Sequence, residues 1–142
     1  MSEIKVDTLT GKTSAGSITV TSEGGSATMQ MQQGLAKAFV LFDQTVPEID
    51  NSFNTSSLTD TSTGNGDVNW TNAMSDAIYI TVTGIGYVSI SSAYNSSLSD
   101  DSDSGNPRTA SRFYFVATYG NSSSTVFGDN NNNQLAVFGD LA

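Results

Sequence analysis

Ala77-Ile78-Tyr79-Ile80-Thr81-Val82-Thr83 is the stretch whose reading decides the fold. Ile78, Ile80 and Val82 fall on one side of a two-residue period, and Tyr79 and Thr81 on the other. Five of the seven residues are β-branched, which stiffens χ1 and favours a pleated strand over a helix. Ile78 and Ile80 are therefore expected in a core, on the inner face of a sheet.

Similar stretches lie on either side. Leu35-Ala36-Lys37-Ala38-Phe39-Val40-Leu41-Phe42-Asp43 is the most apolar segment and reads as a buried strand over Phe39–Phe42. Pro47 and Asp50-Asn51 mark a turn, and Ser52–Thr59 reads as a strand with Phe53 and Leu58 inward. Asp60-Thr61-Ser62-Thr63-Gly64-Asn65-Gly66 is turn chemistry throughout. Asp67–Thr71 is then the return strand of a hairpin, with Val68 and Trp70 on one face. After Thr83, Gly84-Ile85-Gly86 interrupts the alternation and Tyr87-Val88-Ser89-Ile90 resumes it out of step, as at a bulge or tight corner. Asn95 to Arg108 reads as a polar loop. In Arg112–Thr118, Phe113, Phe115 and Ala117 oppose Tyr114 and Val116. Ser124–Phe127 and Gln134–Phe138 are expected to pair across Gly128-Asp129 and the Asn130–Asn133 run. Val-Phe-Gly-Asp occurs at 126–129 and again at 137–140, as two similar strand ends.

Roughly eight short strands and no sustained helical period indicate an all-β fold, an antiparallel β-sandwich or jelly-roll-like domain. The expected core is Phe39, Leu41, Phe53, Val68, Trp70, Ile78, Ile80, Phe113, Phe115 and Val137.

Residues 1–33 differ from the remainder. Their apolar residues are sparse: Ile4, Val6 and Leu9, then Ile18 and Val20, then Met29 and Met31. Ile4-Lys5-Val6, Ile18-Thr19-Val20 and Met29-Gln30-Met31 each alternate as half-exposed strands do. Three such strands bury too little to offset an ordering cost of ~1–2 kcal/mol per residue. The segment therefore reads either as a flexible tail or, as preferred here, an extended N-terminal β-arm for assembly or attachment. Residues 34–142 form the sandwich domain.

Composition narrows the chemistry. The chain has 22 Ser, 17 Thr and 12 Asn but no His and no Cys. That removes imidazole bases, Ser-His and Cys-His nucleophiles and the usual zinc, haem and iron–sulfur sites. Five basic against 14 acidic residues give a net charge of −9, which disfavours nucleic acid and anionic membrane surfaces. The start, Met1-Ser2-Glu3-Ile4-Lys5, carries no secretory signal, and the longest apolar run, Ala38–Phe42, is too short to span a bilayer. The expectation is a non-enzymatic protein without cofactors, made in the cytoplasm.

Asp100, Asp101 and Asp103 lie in a Ser/Gly-rich stretch and are the one weak candidate for a Ca²⁺ site. They lack the EF-hand spacing and a closing Glu, so a solvated loop is preferred and no metal is expected. Asp129 with Asn130–Asn133 reads as a turn. Glu3, Glu23 and Glu48 offer no convincing carboxylate pair for glycoside cleavage. Tyr94 and Tyr119, flanked by Asn, Ser and Gly, are the first choice for a glycan-stacking site. Arg108 and Arg112, the only arginines, are expected to pair with Asp across a sheet or at an interface.

Within Leu35–Tyr79 the order of motifs is distinctive. Ala36-Lys37-Ala38-Phe39-Val40-Leu41-Phe42 precedes Ser52-Phe53-Asn54-Thr55-Ser56-Ser57-Leu58-Thr59-Asp60, a Gly-Asn-Gly-Asp turn at 64–67, and Trp70-Thr71-Asn72-Ala73-Met74-Ser75-Asp76-Ala77-Ile78-Tyr79. This resembles a group of phage tail-fibre-like virion proteins of marine phages, over about a third of the chain. Met1–Val6 also looks like the start of several of them. Trp70 stands where that group more often has Phe, and Pro47-Glu48-Ile49 replaces a Gly-Thr-rich turn. The resemblance implies a virion structural component synthesised in the host cytoplasm and carried on the particle surface, as a tail fibre or capsid decoration. Together with the arm it implies a homotrimer in contact with other virion proteins. A capsid cement protein bridging capsomers, or a fibre tip recognising a host-surface glycan, are the alternatives.

Overall fold

The computed structural model describes residues 3–13, 18–22, 24–25, 27–32, 34–85, 95–100, 108–121 and 124–142. The resumed strand expected at Tyr87–Ile90 lies outside them. The chain divides into two compact units, Met1–Leu35 and Ala36–Ala142.

In the first unit β1 (Thr19–Thr21) and β2 (Thr28–Gln30) form an antiparallel hairpin with Val20 opposite Met29. Gly25, at φ 73°, makes the turn and donates its N–H to the Ser22 carbonyl at 2.8 Å; a positive φ there suits a residue without Cβ. Two of the three expected strands thus form, and Ile4–Val6 is not in a strand.

The second unit is all-β. Its strands are β3 (Ala38–Asp43), β4 (Glu48–Phe53), β5 (Thr55–Ser62), β6 (Asn65–Trp70), β7 (Ile80–Ile85), β8 (Asn95–Asp100), β9 (Arg112–Asn121), β10 (Ser124–Phe127) and β11 (Asn133–Phe138). One sheet has the order β4-β3-β11-β7; the other has β10-β9-β6-β5, with β8 also on β9. Each pairing is antiparallel. Because β8 lies along Phe115–Gly120, overlapping the stretches of β9 that pair with β6 and with β10, those two strands follow one another on its opposite edge. The hairpins β3–β4, β5–β6 and β9–β10 each stay within one sheet, which makes the domain a sandwich of hairpins.

The sheets meet through Ala38, Val40, Phe42, Leu135 and Val137 on one side and Val68, Trp70, Phe113, Phe115 and Ala117 on the other. Phe42 and Phe115 bridge the layers with ring centroids 5.0 Å apart. Phe115 also lies against Gly66, where an added Cβ would come within 2.7 Å of the ring and 2.5 Å of the Thr59 carbonyl. Full burial of side chains of this kind contributes ~1.5–3 kcal/mol each.

Three connections carry the chain between these positions. Asn54, at φ 56°, splits the strand expected over Ser52–Thr59 and sends β4 and β5 to different sheets. Its side chain fixes the corner: Nδ2 donates to the Lys37 and Asn72 carbonyls, each at 3.0 Å, and Oδ1 accepts the Asn72 N–H at 2.7 Å. At Thr63-Gly64 the long loop expected from Asp60 to Gly66 is instead a tight turn, with Asp60 opposite Gly66 and Ser62 opposite Asn65. Gly64 (φ 76°) donates to the Asp129 carboxylate at 2.7 Å, and its carbonyl accepts the Ala117 N–H at 2.6 Å. A Cβ there would lie 2.6 Å from the Ala117 oxygen.

The third is Tyr79, 4% exposed. Its hydroxyl donates to the Arg112 carbonyl at 2.7 Å, with the Thr109 carbonyl 3.2 Å from the same oxygen. Its ring meets Trp70 edge-on at 6.4 Å, and the Arg108 guanidinium lies 5.2 Å from the ring centroid.

Tyr79 reverses the expected phase of its segment. With Tyr79 inward, Ile78 and Ile80 are outward, and they are 86% and 69% exposed. Strand β3 is reversed likewise. Val40 pairs with Leu135 and Ala38 with Val137, all buried, so Phe39 and Leu41 take the opposite face. Phe53 sits directly opposite Phe39, on the same outer side, and is exposed. Leu41, Phe53, Ile78 and Ile80 are therefore not core residues and Phe39 is only half-buried, whereas Val68, Trp70, Phe113, Phe115 and Val137 are buried.

Other boundaries also shift. Asp50-Asn51 belongs to β4, and the turn is made by residues 44–47. Asn95–Asp100, read as loop, is β8. Ser124–Phe127 and Gln134–Phe138 do not pair with each other, because β10 joins β9 and β11 lies between β3 and β7.

Candidate assembly surface

Sheet register places the outward side chains of β4-β3-β11-β7 in rows. Phe53, Phe39, Ala136 and Val82 stand side by side across the four strands. Asn51, Leu41, Gln134 and Gly84 form the next row, and Phe138 pairs with Ile80 on the other side of the first. No residue in these rows carries a charge. Phe53 is 53%, Val82 57%, Ile80 69% and Leu41 37% exposed.

The face has relief. The Phe39 and Phe53 rings stack with centroids 6.1 Å apart and planes at 28°, forming an aromatic ridge. Beside it a shallow groove of ≈ 300 Å³ runs between Phe39 and Leu41 on β3 and Val82 on β7, with Ala136 of β11 between them. Large side chains on β3 and a small one on β11 create this step.

Asp43 closes β3 at the margin of the face. Its Oδ1 accepts the Thr45 hydroxyl at 2.6 Å and the Thr45 and Val46 N–H groups at 2.7 and 3.3 Å. The Thr45 hydroxyl bond, chiefly, holds its carboxyl below the usual aspartate range, with the two N–H bonds adding to it and slight burial opposing.

On the outer side of the other sheet polar and charged groups pair with one another, beside Tyr114 and Val116 of β9. Asn69 Nδ2 donates to Ser57 Oγ at 3.1 Å, and Arg112 Nη1 lies 3.2 Å from Asp67 Oδ2. This is the cross-sheet pairing expected for Arg112. Arg108 instead donates to the Tyr79 carbonyl at 2.9 Å and serves the corner there.

Of the arm residues, Ile4, Val6, Leu9, Val20 and Met29 are exposed, and Ile18 and Met31 are half-buried. Tyr94, Asp101 and Asp103 lie outside the described residues. Asp100 is the last residue of β8 and Tyr119 belongs to β9, their side chains being among those not described. No group of three or more acidic side chains is placed to hold a metal among the described residues.

Reading the sequence missed the apolar face because both sides of β3 are apolar. Its one sequence signal is a surplus: with Ala38, Val40, Phe42, Leu135 and Val137 filling the inner face, Phe39, Leu41, Phe53, Ile80, Val82 and Phe138 are left for the outer one. Comparison with known protein families, with characterised proteins and with solved structures returns no match.

Proposed function

We propose that this protein is a non-enzymatic structural subunit of a bacteriophage particle, a homotrimer on the particle surface acting as a short fibre or capsid decoration. The observation that carries the reading is the set of uncharged, largely apolar rows on the outer face of β4-β3-β11-β7, exposed on a chain whose net charge is −9. Large exposed apolar patches on folded domains mark interaction surfaces. The motif order in Leu35–Tyr79 supports the phage assignment. The exposed apolar residues of the arm, Ile4 at 85% and Leu9 at 58%, supply a second contact region for neighbouring subunits.

The test is the location and copy number of the protein in an intact particle, by electron cryomicroscopy or labelling. Three copies around an axis on the particle surface are expected. Isolated single copies there, with a 14.9 kDa monomer at all concentrations by light scattering, overturn the reading. Deleting residues 1–33 is expected to leave a folded β-domain that no longer enters particles.

A further inference from the structure

We propose that the outer face of β4-β3-β11-β7 docks onto the same face of another copy of this chain, the Phe39–Phe53 ridge of one copy seating in the groove between Leu41 and Val82 of the other. The inference rests on the assembly reading above but specifies the surface and the occupant.

Three observations select a second copy. The first is area. Phe53, Val82, Ile80, Leu41 and Ile78 are 53, 57, 69, 37 and 86% exposed, which leaves on the order of 600 Å² of apolar side chain in or beside one face. A stable protein interface buries about 800 Å² per partner with an apolar centre and a polar rim. Asn51 and Gln134 supply rim groups in the same rows.

The second is charge. Two chains of net charge −9 repel, and a partner drawn electrostatically to this protein would need a charged patch to meet. These rows carry none of the 14 acidic or five basic side chains. Docking centred on them brings two like-charged copies together with the Asp43–Glu48 pair of the next row kept at the rim. Unpaired buried charge is the costliest error at an interface.

The third is shape. A ridge and a groove side by side on one surface are the two halves of a self-complementary contact. The ridge is two stacked rings on β4 and β3, and the groove of ≈ 300 Å³ opens on the other side of β3. Seated reciprocally, ridge and groove of two copies make a twofold pair; with each copy giving its ridge to one neighbour and its groove to the other, they close the ring of three that the trimer requires.

The experiment uses the full chain and its lack of cysteine. Phe53→Cys and Val82→Cys proteins are mixed under mild oxidation. A disulfide joining the thiol of one variant to that of the other is the expected product. Val82→Glu is expected to raise the concentration for half-dissociation about a hundredfold, with unchanged circular dichroism, while Val82→Thr stays within about threefold of wild type. Association is expected to strengthen with added salt, as repulsion between the copies is screened.

Wild-type oligomers unaffected by Val82→Glu, with no mixed disulfide, overturn this docking surface but leave the particle role standing. Capture of the Val82→Cys thiol only by cysteines placed in residues 1–33 also overturns it, assigning the face to the arm. A dimer rather than a trimer, with the mixed disulfide formed, supports the surface and overturns the trimer. A wild-type monomer at all concentrations, in solution and in particles, overturns both.

Discussion

The two outer faces of the sandwich are built from equally regular strands but differ in chemistry. On the β5–β6–β9 side, Ser57, Asn69, Asp67 and Arg112 hydrogen-bond or pair with one another. On the β4-β3-β11-β7 side, Phe53, Phe39, Val82 and Ile80 stand in rows without a charge. On the first face these polar groups find partners within one chain. The second leaves apolar surface in water, and this asymmetry is the ground for proposing that assembly uses one side of the domain. It also implies that large side chains of similar type have very different roles according to which side of a sheet they occupy.

The largest effect should come from the shared core. Phe115→Ala removes the ring that bridges to Phe42 and should cost ~3–5 kcal/mol, read by chemical denaturation. Phe53→Ala, a truncation of the same size on the outer face, should cost under ~1 kcal/mol in the monomer while weakening self-association. Equal losses of stability for the two would erase the distinction between inner and outer aromatics.

The tyrosine that sets the phase of the outer face gives the next effect. Tyr79→Phe removes the hydroxyl bond to the Arg112 carbonyl, 2.7 Å long in a site 4% exposed. The carbonyl keeps the Thr109 N–H at 2.9 Å, so losing the hydroxyl should cost about 0.5–1.5 kcal/mol. Hydrogen exchange should then rise first around Thr109–Arg112. A wild-type melting temperature for Tyr79→Phe would show that packing against Trp70, not the hydroxyl, holds Tyr79 inward.

The same comparison explains what was legible in the sequence. Strand content and the all-β class follow from the two-residue period. The inner face of β6 was readable because Val68 and Trp70 alternate with Asp67 and Asn69, a polar pair that names the outside. In Phe39-Val40-Leu41-Phe42 each neighbour is apolar, and in Ile78-Tyr79-Ile80 the polar atom belongs to the buried residue. Alternation gives the period but not the phase. There the phase is set by partners distant in sequence: Leu135 and Val137 for β3, Arg112 for Tyr79. Likewise, nothing local in Asp60–Gly66 says that Asp129 will hold Gly64 and close the loop into a tight turn.

The outer face should respond in the opposite sense to the core. Ile80→Thr replaces a side chain 69% exposed and should change monomer stability by no more than about 0.5 kcal/mol. Sedimentation should nonetheless show weaker association, since the substitution puts a hydroxyl into the row beside Val82. A loss of stability without any change in association would make Ile80 a packing residue and remove it from the interface.

The smallest effect belongs to Asp43, at the margin of the apolar face. Its carboxylate is occupied by its own turn, accepting from the Thr45 hydroxyl and from the N–H groups of Thr45 and Val46. Its pKa is lowered on folding, chiefly by the Thr45 hydroxyl, so the folded state binds a proton less readily than the unfolded chain does. The stabilisation is therefore fully present above about pH 4, the ordinary aspartate range, and is lost as pH falls through the lowered folded value. Asp43→Asn should lower the melting temperature by roughly 1–3 °C at pH 7, and the gap from wild type should close as the pH is taken below that range. Because the charge is committed to the turn, self-association at neutral pH should be unchanged by this substitution. Stronger association of Asp43→Asn at neutral pH would mean that the carboxylate faces the docking surface, and that the uncharged area ends short of β3's last residue.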